Sequence, residues 1–568
     1  MLNKTKTILL IGLLLFLALI VRLYGLNFPL YHWDEKLDFG NTLYASFNQL
    51  SLAYYNHGSL LNYLVLACWG IYLLWHGEIP SSGTLLVSFF EQQETFALVG
   101  RFLMVLVSIL AVQMVYDLGK RLYSVRVGVL AAFFLAFNFL HVSQSHYVRG
   151  HIFSTLFVSL AVLSIYKIYE KQHPFVYIQA GIGLGLSTAV HIPLAILFFP
   201  FVITHIFLKP FLNLKKSWKS WLLDRSFLLG LVSGVTTFFI VTPYALLDMP
   251  NFMMQLKFYI LQAANQVWVS SEGLPILFFY VVEHLKNGMG IGLEILAFIG
   301  VAYALWKHNW ADIVLLLFSA FLVIVLSGKA NFARYALPLL PLLMIFAARF
   351  LVDKSKHLPS RWQILALSGL AIVLVFPSMI NIVRYDYWLT QPDTRELARV
   401  WFVENIPIGA KVVSEGADVL SVDLPLSVEF LEQRISQSKE GGYTQFYNQA
   451  LLNTASSKTG YQFIELFKLD EKHSRGTVEA VKDAAFYQRN DVEYLISVSW
   501  MQRSLADAYS PEFQTSLDVL YKEIAIFEPT ILFRWDPYAW RMDYEALSRV
   551  RLGDAVVGGP RLVIYQLR

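Results

Sequence analysis

Apolar stretches dominate the chain and set the first expectation. A membrane-crossing helix needs about 20 mostly apolar residues to cover about 30 Å of hydrocarbon. Such stretches lie near 8–26, 98–118, 127–141, 152–167, 176–190, 191–208, 226–246, 291–307, 311–327, 335–352 and 362–383. They predict about eleven spans, all helical, because runs this continuous lack the alternation of barrel strands. The first, Ile8 to Leu26, follows Lys4 and Lys6 as a signal peptide would. No small-x-small cleavage site comes after it, so a retained anchor is expected.

Basic residues set the expected orientation. One set of loops carries Lys120, Arg121, Arg126, Lys167, Lys171, Lys209, Lys215, Lys216, Lys219, Arg225, Lys307, Lys354, Lys356 and Arg361, with Lys4 and Lys6 at the start. The opposite loops carry Lys36, Arg149, Lys257, Lys286, Lys329 and Arg334. The N-terminus is therefore expected in the cytoplasm. The outer loop 27–97, the 142–151 turn, the 247–290 loop and everything beyond 384 are expected outside. Ser59 to Trp75 is also apolar, but counting it as a span inverts every later loop. It is expected as an outer juxtamembrane helix, with Tyr63, Trp69, Tyr72 and Trp75 suited to the interface.

The pattern changes after Tyr385, where charges become frequent and long apolar runs end. Two domains are expected: a membrane domain over 1–385, and a soluble extracytoplasmic α/β domain over 386–568. In the second, Asp393 to Asn405 has helical periodicity, and Lys411–Ser414, Tyr494–Ser499, Lys522–Phe527 and Leu562–Leu567 read as strands. Gly441-Gly442 and the Ser456–Gly460 stretch are loop signals. This region has no Gly-rich phosphate loop, nucleophile elbow or metal motif.

Composition agrees with a polytopic α-helical membrane protein. The 568 residues are 56% hydrophobic and 15% charged, against about 25% charged in a soluble domain. A formal charge of +4 gives no footprint for nucleic acid. One cysteine, Cys68, excludes an intrachain disulfide or a cysteine-based metal cluster.

Candidate chemistry gathers on the expected outer side. Asp34 and Glu35 open the first outer loop among aromatic residues; such a pair suits a general base and a helper, and also suits a solvated loop start. Arg101 begins the second span, where it could equally snorkel to the interface. Arg149 and His151 occupy one turn, His191 another, and Lys329 and Arg334 a third. Several cations on one side suit an anionic partner such as a lipid phosphate, and arginine suits bidentate contact. His57, His151 and Glu35 could hold a divalent metal if the fold joins them; His57 could equally cap its helix.

In their order, several motifs resemble those of the GT-C superfamily of membrane glycosyltransferases. The nearest branch is that of protein O-mannosyltransferases and aminoarabinose transferases, in prokaryotes. The motifs are the aromatic-Asp-Glu at 33–35, Asn56-His57-Gly58, Val99-Gly100-Arg101-Phe102, Asp117 to Tyr123, Thr242-Pro243-Tyr244, Arg334-Tyr335-Ala336-Leu337-Pro338, and Asp393-Thr394-Arg395 with Asn405-Ile406-Pro407. Relatives commonly carry Asp where this chain has His151 and Lys where it has His191.

The resemblance implies an inverting glycosyltransferase that moves a sugar from a polyprenyl-phosphate donor to an acceptor hydroxyl, with Asp34 as base and Glu35 as positioning partner. Arg101, Arg334, Arg149 and Lys329 would meet the donor phosphate, and His57, His151 and His191 would meet substrate or a metal. The implied partners are the donor lipid, an acceptor protein, lipid or glycan, and the bilayer of the cell membrane. The alternatives are a catalytically silent lipid-phosphate-binding or scaffold member, or a transporter. A transporter should carry internal repeats and broken midplane helices, which this sequence lacks.

Overall fold

Continuous apolar sequence folds here into helices that satisfy their own backbone. The computed structural model describes residues 4–29, 32–55, 58–171, 173–211, 223–265, 271, 273–329, 331–414, 422–438, 442–454, 460–465, 467–470, 475–478, 484–500, 503–504, 515, 519–533 and 544–568. The chain divides into two compact units. One comprises Met1–Leu26, Tyr54–Trp69 and Leu98–Val383; the other comprises Asn27–Ala53, Gly70–Ala97 and Arg384–Arg568.

The first unit is helical. Among the described residues, five helices are long and apolar enough to cross a membrane: Thr5–Leu23, Gln93–Leu122, His151–Lys171, Ala333–His357 and Ser360–Leu389. A sixth span results if Ile276–Met289 and Ile291–Lys307, bent by 118°, count as one. The bend falls at Gly290, whose φ of 83° suits glycine. Other expected spans form shorter apolar helices, among them Val125–Ala136, Pro174–Val190, Arg225–Val241 and Trp310–Leu326. Leu60–Trp75 is likewise a short apolar helix.

The core of this unit surrounds Leu340–Lys354, whose Leu342, Met344, Ile345, Phe346, Ala347 and Ala348 are fully enclosed. Pro174–Val190 and Arg225–Val241 pack closely because small residues face each other. A Cβ on Gly181 would strike the Gly230 carbonyl, and one on Gly185 the Gly234 carbonyl. Polar residues fix the helix ends. Asn309 and Asp312 form a reciprocal capping box on Trp310–Leu326, and Asp224 accepts from two amides opening Arg225–Val241.

The second unit holds the predicted sheet. Its strands are β1 (Lys411–Ser414), β2 (Gln462–Glu465), β3 (Phe467–Asp470), β4 (Arg475–Val478), β5 (Tyr494–Trp500), β6 (Arg503–Ser504), β7 (Tyr521–Phe527) and β8 (Arg561–Leu567). The order is β2-β1-β5-β8-β7, with β6 on β5 and a separate β3-β4 hairpin. β1 runs parallel to β2 and β5, while β8 runs antiparallel to β5 and β7. Among the described residues, helices lie between β1 and β2, between β4 and β5, and between β7 and β8, in keeping with an α/β domain.

The Asp393-Thr394-Arg395 motif is structural here. Asp393 caps Thr394–Asn405 and takes a bidentate pair from buried Arg395, at 2.9 and 3.0 Å. Thr394 donates from its amide to Gly558 and from its hydroxyl to Pro560, joining the helix start to the approach of β8. Gly442 and Gly460 are described; the other residues of the two expected loop signals, Gly441 and 456–459, lie outside the described residues.

Candidate functional site

The acidic pair does not open a loop. Asp34 and Glu35 occupy the first turn of the helix Trp33–Phe47, the helix end that favours negative charge. His32 caps it, its Nδ1 accepting from the Glu35 amide at 3.4 Å. Glu35 is fully buried and Asp34 is half-buried. A half-buried carboxyl can still meet a substrate proton, whereas a fully buried neighbour suits positioning.

In the first unit, Arg101 is fully buried and donates from Nη1 to the Leu26 carbonyl at 3.2 Å. It shares this region with polar residues that sequence reasoning did not single out as site candidates. Arg22 donates to Ala18 and Ala136 at 2.9 and 3.0 Å and meets His141 Nδ1 at 3.0 Å. His146 reaches the Val142 carbonyl with Nδ1 at 3.0 Å and the Tyr24 carbonyl with Nε2 at 3.2 Å. Two carbonyls would suit a doubly protonated ring. Burial outweighs them and, with Arg22 and Arg101 nearby, pushes His146 down to about 4. The ring is therefore neutral near pH 7, and one nitrogen donates.

The turns that carry the other candidates come together. The His151 and His191 rings lie 4.9 Å apart between centroids. Tyr335 stacks on both, at 5.3 Å from His151 and 5.2 Å from His191. Arg334 places its guanidinium carbon 3.9 Å from the Phe332 ring centre and 5.9 Å from that of Tyr335. Tyr259 hydrogen-bonds Tyr335 and lies within the electrostatic reach of both Arg334 and Arg149. Arg149, His151 and His191 are all buried.

Two neighbours hold the segment leading into Tyr335. Tyr280 donates its hydroxyl to the Phe332 carbonyl at 3.0 Å, and His284 Nε2 meets the Asn331 carbonyl at 3.0 Å. Neither ring nitrogen of His191 and neither side-chain amide atom of Asn331 has a hydrogen-bond partner among the described residues. Leaving such buried groups unsatisfied costs about 1–3 kcal/mol each.

Four of the sequence candidates, Arg149, His151, His191 and Arg334, thus form one cluster. Lys329 is exposed, and no contact among the described residues joins it to them. His57 lies outside the described residues. Among the described residues, no group of three His, Cys, Asp or Glu side chains is arranged to hold a metal. Sequence reasoning missed Tyr335 as a site residue although it adjoins Arg334 in the quoted motif. Tyr259 had no motif to signal it.

Residues 84–244 match the family model of the dolichyl-phosphate-mannose-protein mannosyltransferases. That segment contains Arg101, Arg149, His151 and His191. No curated protein matches the chain. Among solved structures, it is similar to the apo oligosaccharyltransferase of Archaeoglobus fulgidus, at 14% identity and a TM-score of 0.49, over 87% of this chain and 70% of that one. It is also similar to ArnT from Cupriavidus metallidurans in the apo state, at 11% identity and a TM-score of 0.49, over 98% and 97%. ArnT bound to undecaprenyl phosphate matches at 12% identity and a TM-score of 0.45, over 98% and 97%. Likeness at this level carries no functional argument. The family match bears out the resemblance to GT-C membrane glycosyltransferases that the motifs give.

Proposed function

We propose that the protein is an inverting glycosyltransferase using a sugar linked to a polyprenyl phosphate, at the outer face of the cell membrane. The observation that carries this reading is the cluster of buried Arg149, His151 and His191 with half-buried Arg334 around Tyr335. Two guanidiniums near two imidazoles, with the His191 ring nitrogens and the Asn331 side-chain amide lacking hydrogen-bond partners among the described residues, suit an anion with several acceptor oxygens. A phosphate is such an anion. The match to a family named for a dolichyl-phosphate sugar donor supports that choice.

In this reading Asp34 takes the proton from the acceptor hydroxyl as its oxygen attacks the anomeric carbon. The bond to the phosphate oxygen breaks, and direct displacement inverts the anomeric centre. Glu35 positions. Arg334 and Arg149 stabilise the charge that develops on the leaving phosphate, with Arg101 and Lys329 as further candidates. The N-terminus is cytoplasmic, and residues 386–568 form the extracytoplasmic domain. A divalent metal is not needed for these steps; His151 and His191 could meet either substrate or metal.

Purified protein incubated with a panel of polyprenyl-phosphate sugars and candidate acceptors tests the reading. Free polyprenyl phosphate should be released, and Asp34→Asn should reduce the release by about 10²–10⁴-fold, the usual weight of base catalysis. Lipid binding without release from any donor–acceptor pair would favour the silent lipid-phosphate-binding reading. Wild-type turnover in Asp34→Asn would remove Asp34 as the base.

A further inference from the structure

The helix that carries the acidic pair is held along one side by the C-terminal domain. Lys36, Gly40, Tyr44 and Phe47 follow the spacing that aligns residues on one helix face. Each has a counterpart within the same unit. Lys36 Nζ pairs with Asp423 Oδ2 at 3.0 Å. Gly40 lies directly under Tyr443, and a Cβ built on it would fall inside the phenol. Phe446 packs against both Tyr44, at 5.2 Å between ring centres, and Phe47, at 5.5 Å. Tyr443 and Phe446 belong to one helix, Tyr443–Thr454.

A second grip comes from the outer-loop helix Ser82–Glu91. Phe89 meets Phe39 at 6.2 Å, and Ser82 donates to the Ser46 carbonyl at 2.5 Å. Phe90 in turn meets Tyr447, so the three helices close on one another. The Lys36–Asp423 pair is partly exposed and contributes little on its own. The aromatic contacts and the Gly40 notch fix the register instead. Buried Gly40 has no side chain, so the phenol seats against the backbone one and a half turns beyond Glu35.

We propose that Tyr443 is a positioning residue: the C-terminal domain, through Tyr443 in the Gly40 notch and Phe446 between Tyr44 and Phe47, sets the placement of the Asp34–Glu35 turn. The catalytic consequence rests on the reading of Asp34 as base. The mechanical part does not. Shifting a reacting group by about 1 Å can cost on the order of 100-fold in rate. Loosening or displacing this helix should therefore lower turnover and spare donor binding.

The test compares wild type, Gly40→Ala, Tyr443→Ala and the double variant, all as full-length protein. Two readouts are taken: amide hydrogen exchange over 33–47, and kcat and KM for sugar transfer. Tyr443→Ala should raise exchange over 33–47 without raising it in the first unit. Gly40→Ala should lower kcat by on the order of 10- to 100-fold, with donor KM unchanged. The double variant, in which the added methyl meets vacated space, should match Tyr443→Ala instead of showing the two losses multiplied.

Unchanged exchange in Tyr443→Ala would overturn the proposal. So would wild-type kcat in Gly40→Ala, or losses that multiply in the double variant while it remains folded. If the wild type transfers no sugar, the functional reading fails. The exchange result would still decide whether Tyr443 holds the helix.

Discussion

The central Leu340–Lys354 helix and the Ala333–Leu339 turn that leads into it carry two arginines in different company, Arg349 buried and Arg334 half-buried. At its C-terminal end, Arg349 forms an ion pair with Asp312. Tyr123 donates to Asp312 at 2.7 Å and accepts from Arg349 at 3.3 Å. The guanidinium also lies 4.5 Å from the Tyr123 ring centre. At the other end, Arg334 keeps company with aromatic rings, two imidazoles and Arg149. The first group balances its charge from within the chain, with Asp312 and Asp353 both beside Arg349, and only the Arg349 Nε lacks a hydrogen bond among the described residues of that group. The second is rich in cations and contains the His191 ring and the Asn331 side-chain amide, both lacking hydrogen-bond partners among the described residues. Burial alone does not mark a ligand site. A surplus of one charge sign beside unsatisfied polar atoms is the better mark.

The largest effect should come from breaking the balanced end. Asp312→Ala leaves Arg349 buried beside a lost partner and should destabilise the protein by about 3–5 kcal/mol. Replacing both residues with leucine should recover much of that loss. A denaturation series in detergent measures both. If Asp312→Ala melts like wild type, this end is not the staple described here.

The next effect depends on pH. His146 is held at about 4 in the folded protein, chiefly by burial, against about 6.5 in an unfolded chain. Above about pH 6.5 both states are neutral there, and the group contributes no pH dependence. As pH falls from about 6.5 to 4, the unfolded state binds the proton first, and stability drops by up to about 3 kcal/mol. His146→Gln should flatten that part of the profile; an unchanged acid slope would contradict the assignment.

A smaller effect sharpens the contrast from the open end. His191→Leu removes two unsatisfied ring nitrogens and should leave stability unchanged or raised by about 1 kcal/mol. It should weaken binding of a polyprenyl phosphate at the same time. A marked loss of stability would make His191 a packing residue like those around Arg349.

Sequence pattern carried well where periodicity meets a real boundary. β1 spans the residues expected, and β5, β7 and β8 differ by single residues at their ends. It carried less well where local context decides. Asp34 and Glu35 look like a loop start because Trp33-Asp34-Glu35-Lys36 has no apolar periodicity. The cap that turns it into a helix start is His32, an unusual capping residue. The expected span at 127–141 divides into Val125–Ala136 and Phe139–Gln144 because Asn138 caps the second piece. The union of His151, His191 and Arg334 lies beyond pattern reading, since the three come from turns far apart in sequence. The charge rule placed them on one side, and only tertiary packing makes them neighbours.

The most direct test is binding of an unsubstituted polyprenyl phosphate to the full-length protein, followed by native mass spectrometry across a lipid titration. Wild type, Arg334→Ala, Arg149→Ala and the Asp312/Arg349 double leucine variant are compared. A charged hydrogen bond contributes about 1.5–3 kcal/mol, so each of the first two variants should bind about 10- to 100-fold more weakly. The double leucine variant should bind like wild type. Equal binding by all four would contradict the assignment of the Arg149, Arg334, His151 and His191 cluster as the phosphate site.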